Sequence, residues 1–198
     1  QARSTQAFTL PSLRLALTPA TEAQPAQWRQ TPDIVLLART AGYRVHWLSN
    51  QPGQDGWLAS LARGADEHVF INSGNWRDSS TEDDDLVPVL RQKLQTPAAT
   101  HELIVVHLLG QHFHYALRCG KEAGPFGRST DDAVMQAMQA QGRSARIRQS
   151  RNDYDDATYC GARSVARAAA MGASRCGAGA ASMVPDGVRF SPKIGLSR

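Results

Sequence analysis

The sequence predicts an α/β fold with a mainly parallel central sheet flanked by helices. Two observations lead there. Residues 103–106 (Leu-Ile-Val-Val) form an uninterrupted apolar run rich in β-branched side chains, which suits a strand covered on both faces. Residues 31–53 read as a helix stopped at Gly42, then a strand, then the polar loop Ser49-Asn-Gln-Pro-Gly, the αβ unit of a wound sheet. Composition is compatible with this class. The chain has 198 residues, 41% of them apolar and 20% charged, enough for one domain with a core.

The elements follow in order. Residues 5–17 are apolar at near-helical spacing, with Pro11 in the first turn. Residues 18–32 are rich in Pro, Thr, Ala and Gln and read as a loop. Thr31 is the expected N-cap of the next helix, with Pro32 at its first position and Asp33 favouring the helix dipole. Residues 43–48 are a strand and residues 56–63 a helix. Residues 67–71 form a short strand. The acidic stretch 79–85 is a solvated lead-in to a helix over 86–94, since the spacing of a calcium-binding EF-hand loop is absent. Residues 103–106 are expected to be a central strand in the same sheet as 43–48. Residues 131–141 are a helix stopped at Gly142. Asp153, Asp155 and Asp156 could suggest a carboxylate cluster, but a structural role is expected, since acids at a helix N-terminus need no catalytic explanation.

Charge is divided unevenly. Residues 1–140 carry 12 Lys/Arg against 14 Asp/Glu, and residues 141–198 carry 10 against 4. A basic end suits nucleic acid or anionic lipid. Nucleic-acid binding is not expected, because the basic residues have no interleaved aromatics and match no binding motif. No run of about 18 apolar residues exists to span a membrane. Cys119, Cys160 and Cys176 have no zinc-binding spacing, and their odd number leaves at least one unpaired.

Chemistry concentrates directly after residues 103–106, in His107-Leu-Leu-Gly-Gln-His112-Phe-His114-Tyr115. Ligands in open α/β sheets bind beyond the carboxyl ends of strands. Imidazole serves there as metal ligand or as general acid and base.

This segment resembles the His-Leu-x-Gly-Ser-His segment of the bacterial phosphoethanolamine transferases, whose sulfatase-like domain belongs to the alkaline phosphatase superfamily; Gln111 replaces the usual Ser. Two further segments are similar to that family in the same order. They are Ala41-Gly-Tyr-Arg-Val-His-Trp-Leu-Ser-Asn-Gln51 and Asn152-Asp-Tyr-Asp-Asp-Ala-Thr-Tyr159, and the resemblance implies that the Asp and Tyr residues of the latter open a helix packed near the site. The resemblance covers residues 1–159, which form a partial sulfatase-like domain. It implies a zinc-dependent enzyme on the periplasmic face of the bacterial inner membrane. Phosphatidylethanolamine would be its donor and lipid A or another envelope glycan its acceptor. Membrane contact would come only through N-terminal helices that this chain lacks. His107, His112 and His114 are the implied substrate-binding residues, and Asp186 with His112 the implied metal ligands.

The family's Thr-Gly-Glu-like nucleophile segment is not found, so no nucleophile is assigned. The Asp-His pair of the family is reduced to Asp186-Gly187. The chain opens at Gln1 without Met and is expected to be a fragment, inactive in transfer and binding zinc weakly or not at all. The alternative is a non-catalytic α/β remnant or binding module without a metal site. Residues 160–198 are set apart by composition. Residues 160–183 hold nine Ala, four Gly and three Arg, with no acid and no aromatic. Such a stretch is expected of GC-rich DNA read out of frame, or of an Ala-rich helix and tail. Either way it is expected to pack poorly, with few large apolar side chains to offset about 1–2 kcal/mol of backbone ordering per residue.

Overall fold

A computed structural model of the chain describes residues 8–54, 56–75, 77, 81–96, 101–120, 124–127 and 132–176. The helices are α1 (Thr9–Ala16), α2 (Ile34–Thr40), α3 (Trp57–Arg63), α4 (Leu86–Gln95), α5 (Ala133–Ala140) and α6 (Ala145–Cys176). The strands β1 (Arg44–Ser49), β2 (Glu67–Phe70) and β3 (Glu102–His107) form a parallel sheet in the order β2-β1-β3.

The predicted αβ unit is present. Asp33, not Thr31, caps α2: its carboxylate accepts the Leu36 N–H at 2.9 Å. The Thr31 hydroxyl instead donates to the Gln27 carbonyl, closing the preceding 3-10 turn Pro25–Arg29. Gly42 and Gly142 end α2 and α5 with φ of 83° and 72°, conformations open to glycine at no steric cost.

Alternation along the strands divides the core in two. On one face Val45 and Trp47 pack with Val35 of α2 and Leu61 and Ala62 of α3, joined by Leu103 and Val105. On the other, Leu48 packs with Leu86 and Leu90 of α4, joined by Ile104, Val106, and Ala168 and Met171 of α6. Leu48, 1% exposed, contributes roughly 2 kcal/mol by burial.

Two expectations need correction. Among the described residues the central strand is β1; β3 lies at an edge and is half-buried throughout. Its apolar run reflects coverage of both faces, which does not require a neighbour on both edges. Poor packing from residue 160 on is also wrong for the part described. α6 runs on to Cys176, with Cys160 and Ser164 buried and Ala168 and Met171 against the core. These four recur at helical spacing, so small residues suffice for a close approach. Ala is also the best helix former and offsets Gly161 and Gly172. Asp84 fixes this helix to the 3-10 turn Asp83–Asp85, accepting from Ser164 Oγ at 2.6 Å, Arg167 Nη1 at 2.5 Å and Arg163 Nη2 at 3.2 Å.

Candidate active site

Parallel strands bring their carboxyl ends to one side of the sheet, where Ser49 is level with both Phe70 and His107. Asn50, 1% exposed, joins the chains leaving all three strands. Its N–H donates to the His107 carbonyl at 2.9 Å, and its carbonyl accepts from Asn72 Nδ2 at 3.2 Å. Its side-chain oxygen accepts from Thr81 Oγ1 at 2.6 Å, and its Nδ2 donates to Asp83 Oδ1 at 2.9 Å. Asp83, also buried, accepts the N–H groups of Leu109 at 2.7 Å and Gly110 at 2.9 Å. Gln51 Nε2 donates to the Leu108 carbonyl at 3.0 Å. The loop leaving β3 is thus held by its backbone.

His107 sits at the base of this loop. Its Nδ1 is 3.3 Å from Ser49 Oγ, and its ring meets Trp47 edge-to-face at 5.8 Å. Burial pushes its pKa below the ordinary value, and the Asp83 carboxylate pulls the other way. His112 is half-buried further along, its pKa pushed down by burial, then by the charges of Arg118 and His114. His114 is exposed and left-handed (φ 66°), leading into the 3-10 turn Tyr115–Leu117. Phe113 stacks on Tyr115 at 5.7 Å, and Tyr115 meets Tyr154 of α6 edge-to-face at 5.1 Å. Arg118, 7% exposed, donates through Nε to the His112 carbonyl at 3.2 Å and through Nη2 to the Phe113 carbonyl at 2.8 Å. The neighbouring Cys119 is disulfide-bonded to Cys160 of α6.

The three predicted histidines therefore occupy one connection but differ in setting. His107 is engaged by Ser49 and Trp47. His112 and His114 lie on the far part of the loop, close enough for their charges to interact. A neutral imidazole at His112 can donate or accept a hydrogen bond at pH 7. Asp186 lies outside the described residues. Among the described residues no group of three or more His, Cys, Asp or Glu comes together to hold a metal, so these residues alone do not fit a zinc centre.

Asp153, Asp155 and Asp156 do not open a helix, because α6 begins eight residues before the first of them. Asp156 accepts the N–H groups of Phe126 and Gly127, both at 2.8 Å, and Asp155 pairs with Arg151 at 2.9 Å. Sequence reasoning missed Asp83 and Arg118 as parts of the site. Asp83 is one of four consecutive acids, and nothing local separates it from its neighbours.

A parallel sheet between helix layers, with histidines leaving a strand end, defines a class, and comparison with known proteins agrees. A family model described as Sulfatase matches residues 1–161, and the chain belongs to that family. It is 29% identical over 153 residues to phosphoethanolamine transferase EptC of Escherichia coli K12, covering 76% of this chain and 25% of that protein. It is 38% identical over 106 residues to phosphoethanolamine transferase OpgE of the same strain, covering 51% of this chain and 19% of that protein. The crystal structure of the C-terminal periplasmic domain of EcEptC from Escherichia coli, in complex with Zn, superposes with a TM-score of 0.73 at 28% identity. The match covers 83% of this chain and 45% of that one. The chain thus spans about a quarter of the length of the EptC relative.

Proposed function

We propose that this chain is the histidine-bearing part of a phosphoethanolamine transferase domain. In this reading His112 and His114 face the transferred phospho group, and His107 anchors their loop. The donor is phosphatidylethanolamine and the acceptor lipid A or another envelope glycan. The observation that carries the reading is the His107–His112 loop at the carboxyl ends of a parallel sheet, within a chain similar to the EptC periplasmic domain. The Cys119–Cys160 disulfide supports a periplasmic setting, since disulfides persist in oxidising compartments.

Asp186 and His112 are the proposed contribution to a metal site. Two ligands fall short of the three a catalytic zinc normally keeps, so the isolated chain binds zinc weakly and performs no transfer by itself. Calorimetric titration of zinc into the 198-residue chain and into His112→Ala tests this. Weak binding that His112→Ala weakens further is expected. Tight stoichiometric binding abolished by His112→Ala would show that the ligand set is larger. Binding indifferent to His112 would favour the second reading, a non-catalytic remnant or binding module. That reading draws support from the dispersed metal-ligating side chains among the described residues.

A further inference from the structure

We propose that Arg118 is a positioning residue for His112. Its buried guanidinium, working with the buried Asp83 carboxylate, holds the loop from His107 to His114 in its ligand-ready shape before any phospho group arrives. The inference rests on the phospho-transfer reading only for what His112 meets; the clamp itself is read from geometry.

A connection leaving a strand carries N–H and C=O groups that need partners. In this loop the two kinds are divided between two charged side chains. At its start, Asp83 accepts the N–H groups of Leu109 and Gly110. At its end, Arg118 donates to the carbonyls of His112 and Phe113. A carboxylate only accepts and a guanidinium only donates, so neither can do the other's work. Gln111, between the two grips, is exposed.

The chain path makes the second grip reachable. His114 adopts a left-handed backbone, and the following 3-10 turn brings Arg118 back to the carbonyl six residues before it. Cys119, bonded to α6, fixes the far side of that turn. Both charges are nearly out of water, Asp83 at 9% and Arg118 at 7% exposed; burial pushes the Arg118 pKa down, and the Asp83 charge counters part of that. Buried opposite charges are weak contributors to net stability; what they provide is a fixed geometry. The guanidinium fork meets two successive carbonyls from one side chain, which the point charge of a lysine does not reproduce.

The test uses the 198-residue chain with Arg118→Gln and Arg118→Lys. Inorganic phosphate is titrated while the His112 ring is followed by NMR, and amide exchange is measured at Leu117, Val45 and Leu48. In the unaltered chain phosphate shifts the His112 ring signal. Arg118→Gln is expected to lower phosphate affinity about tenfold, the scale of losing a charge-assisted hydrogen bond. It also displaces the ligand-free His112 signal and speeds Leu117 exchange about tenfold, with Val45 and Leu48 unchanged. Arg118→Lys stays closer to Gln than to Arg on all three readouts. Should Arg118→Gln lose its core protection, Arg118→Lys carries the test, since it keeps the buried charge. Unaltered His112 signal, phosphate affinity and Leu117 exchange in Arg118→Gln would overturn the proposal, as would full recovery by Arg118→Lys. If phosphate fails to move His112 in the unaltered chain while the ligand-free signal and Leu117 exchange still respond to Arg118→Gln, the clamp stands and the phospho-group reading falls.

Discussion

At the amino ends of the three strands, Arg44 of β1 donates to Glu67 of β2 at 2.5 Å, and Lys93 of α4 pairs with the same carboxylate. The His46 ring lies between Glu67, at 3.7 Å, and Glu102 of β3, at 3.5 Å. At the carboxyl ends the partners of the one central carboxylate are an amide and two backbone N–H groups, all reached by the buried Asp83. Each end joins all three strands. The amino end does so mainly with charges that water also reaches, such as Arg44 at 53% side-chain exposure, although the ring that links it to β3, His46, is itself buried. The carboxyl end does so out of water, where a lost partner leaves a polar group unsatisfied. Specific geometry is concentrated where the histidines are.

Substitutions should separate the two ends clearly. The largest effect is expected from removing the tie behind the histidine loop. Cys119→Ser with Cys160→Ser opens a ring of 41 residues' separation and should cost about 3–4 kcal/mol in denaturant unfolding under oxidising conditions. Added reductant should bring the unaltered chain to the same value. Asp83→Asn comes next, at about 2–3 kcal/mol. The new amide sets an N–H against backbone donors, and urea unfolding would show the loss. A change below about 0.5 kcal/mol would mean that water replaces the carboxylate, and that the two ends are alike after all.

Acidity should act on the ends in different windows. His107 and His112 have pKa values below the ordinary 6.5 in the folded chain, both chiefly through burial. The unfolded chain then binds more protons below about pH 6.5, so stability falls as pH drops from 7 towards 5, by at most about 1.4 kcal/mol per pH unit for each of the two histidines. Asp66, held down mainly by the Val45 N–H, and Glu67, held down mainly by Lys93, also have lowered values. Their contribution is present above the ordinary 3.8 and 4.5 and is lost only as pH falls below them. Thermal melts at pH 7, 6 and 5 should therefore show a falling midpoint, and His107→Gln should flatten the trend. The smallest effect belongs to Glu67→Gln, under about 1 kcal/mol and further reduced by salt. A loss equal to that of Asp83→Asn would erase the contrast.

Much of the fold was legible because periodicity reports burial. Gly42, Gly142 and the apolar runs marked the ends and interiors of α2, α5, β1 and β3 to within one or two residues. The order of strands was not, since a run such as Leu103–Val106 reports two covered faces and says nothing of edges. The histidines were legible as a cluster after a strand. Their supports were not. Four adjacent acids, Glu82 to Asp85, take three different roles: Glu82 and Asp85 cap each other's backbone, Asp83 grips the histidine loop and Asp84 holds α6. Only their orientation in the folded chain separates these roles. Arg118 gave no local signal either, because its partners are carbonyls that every residue carries.

The Cys119–Cys160 link makes a closed circuit of everything between the histidine loop and the middle of α6, including α5. A single backbone break anywhere in that circuit leaves two pieces that remain one molecule. An insertion there enlarges the circuit without moving the point where it closes. A change of length in the stretch around α5 therefore leaves the histidine loop moored to the same turn of α6.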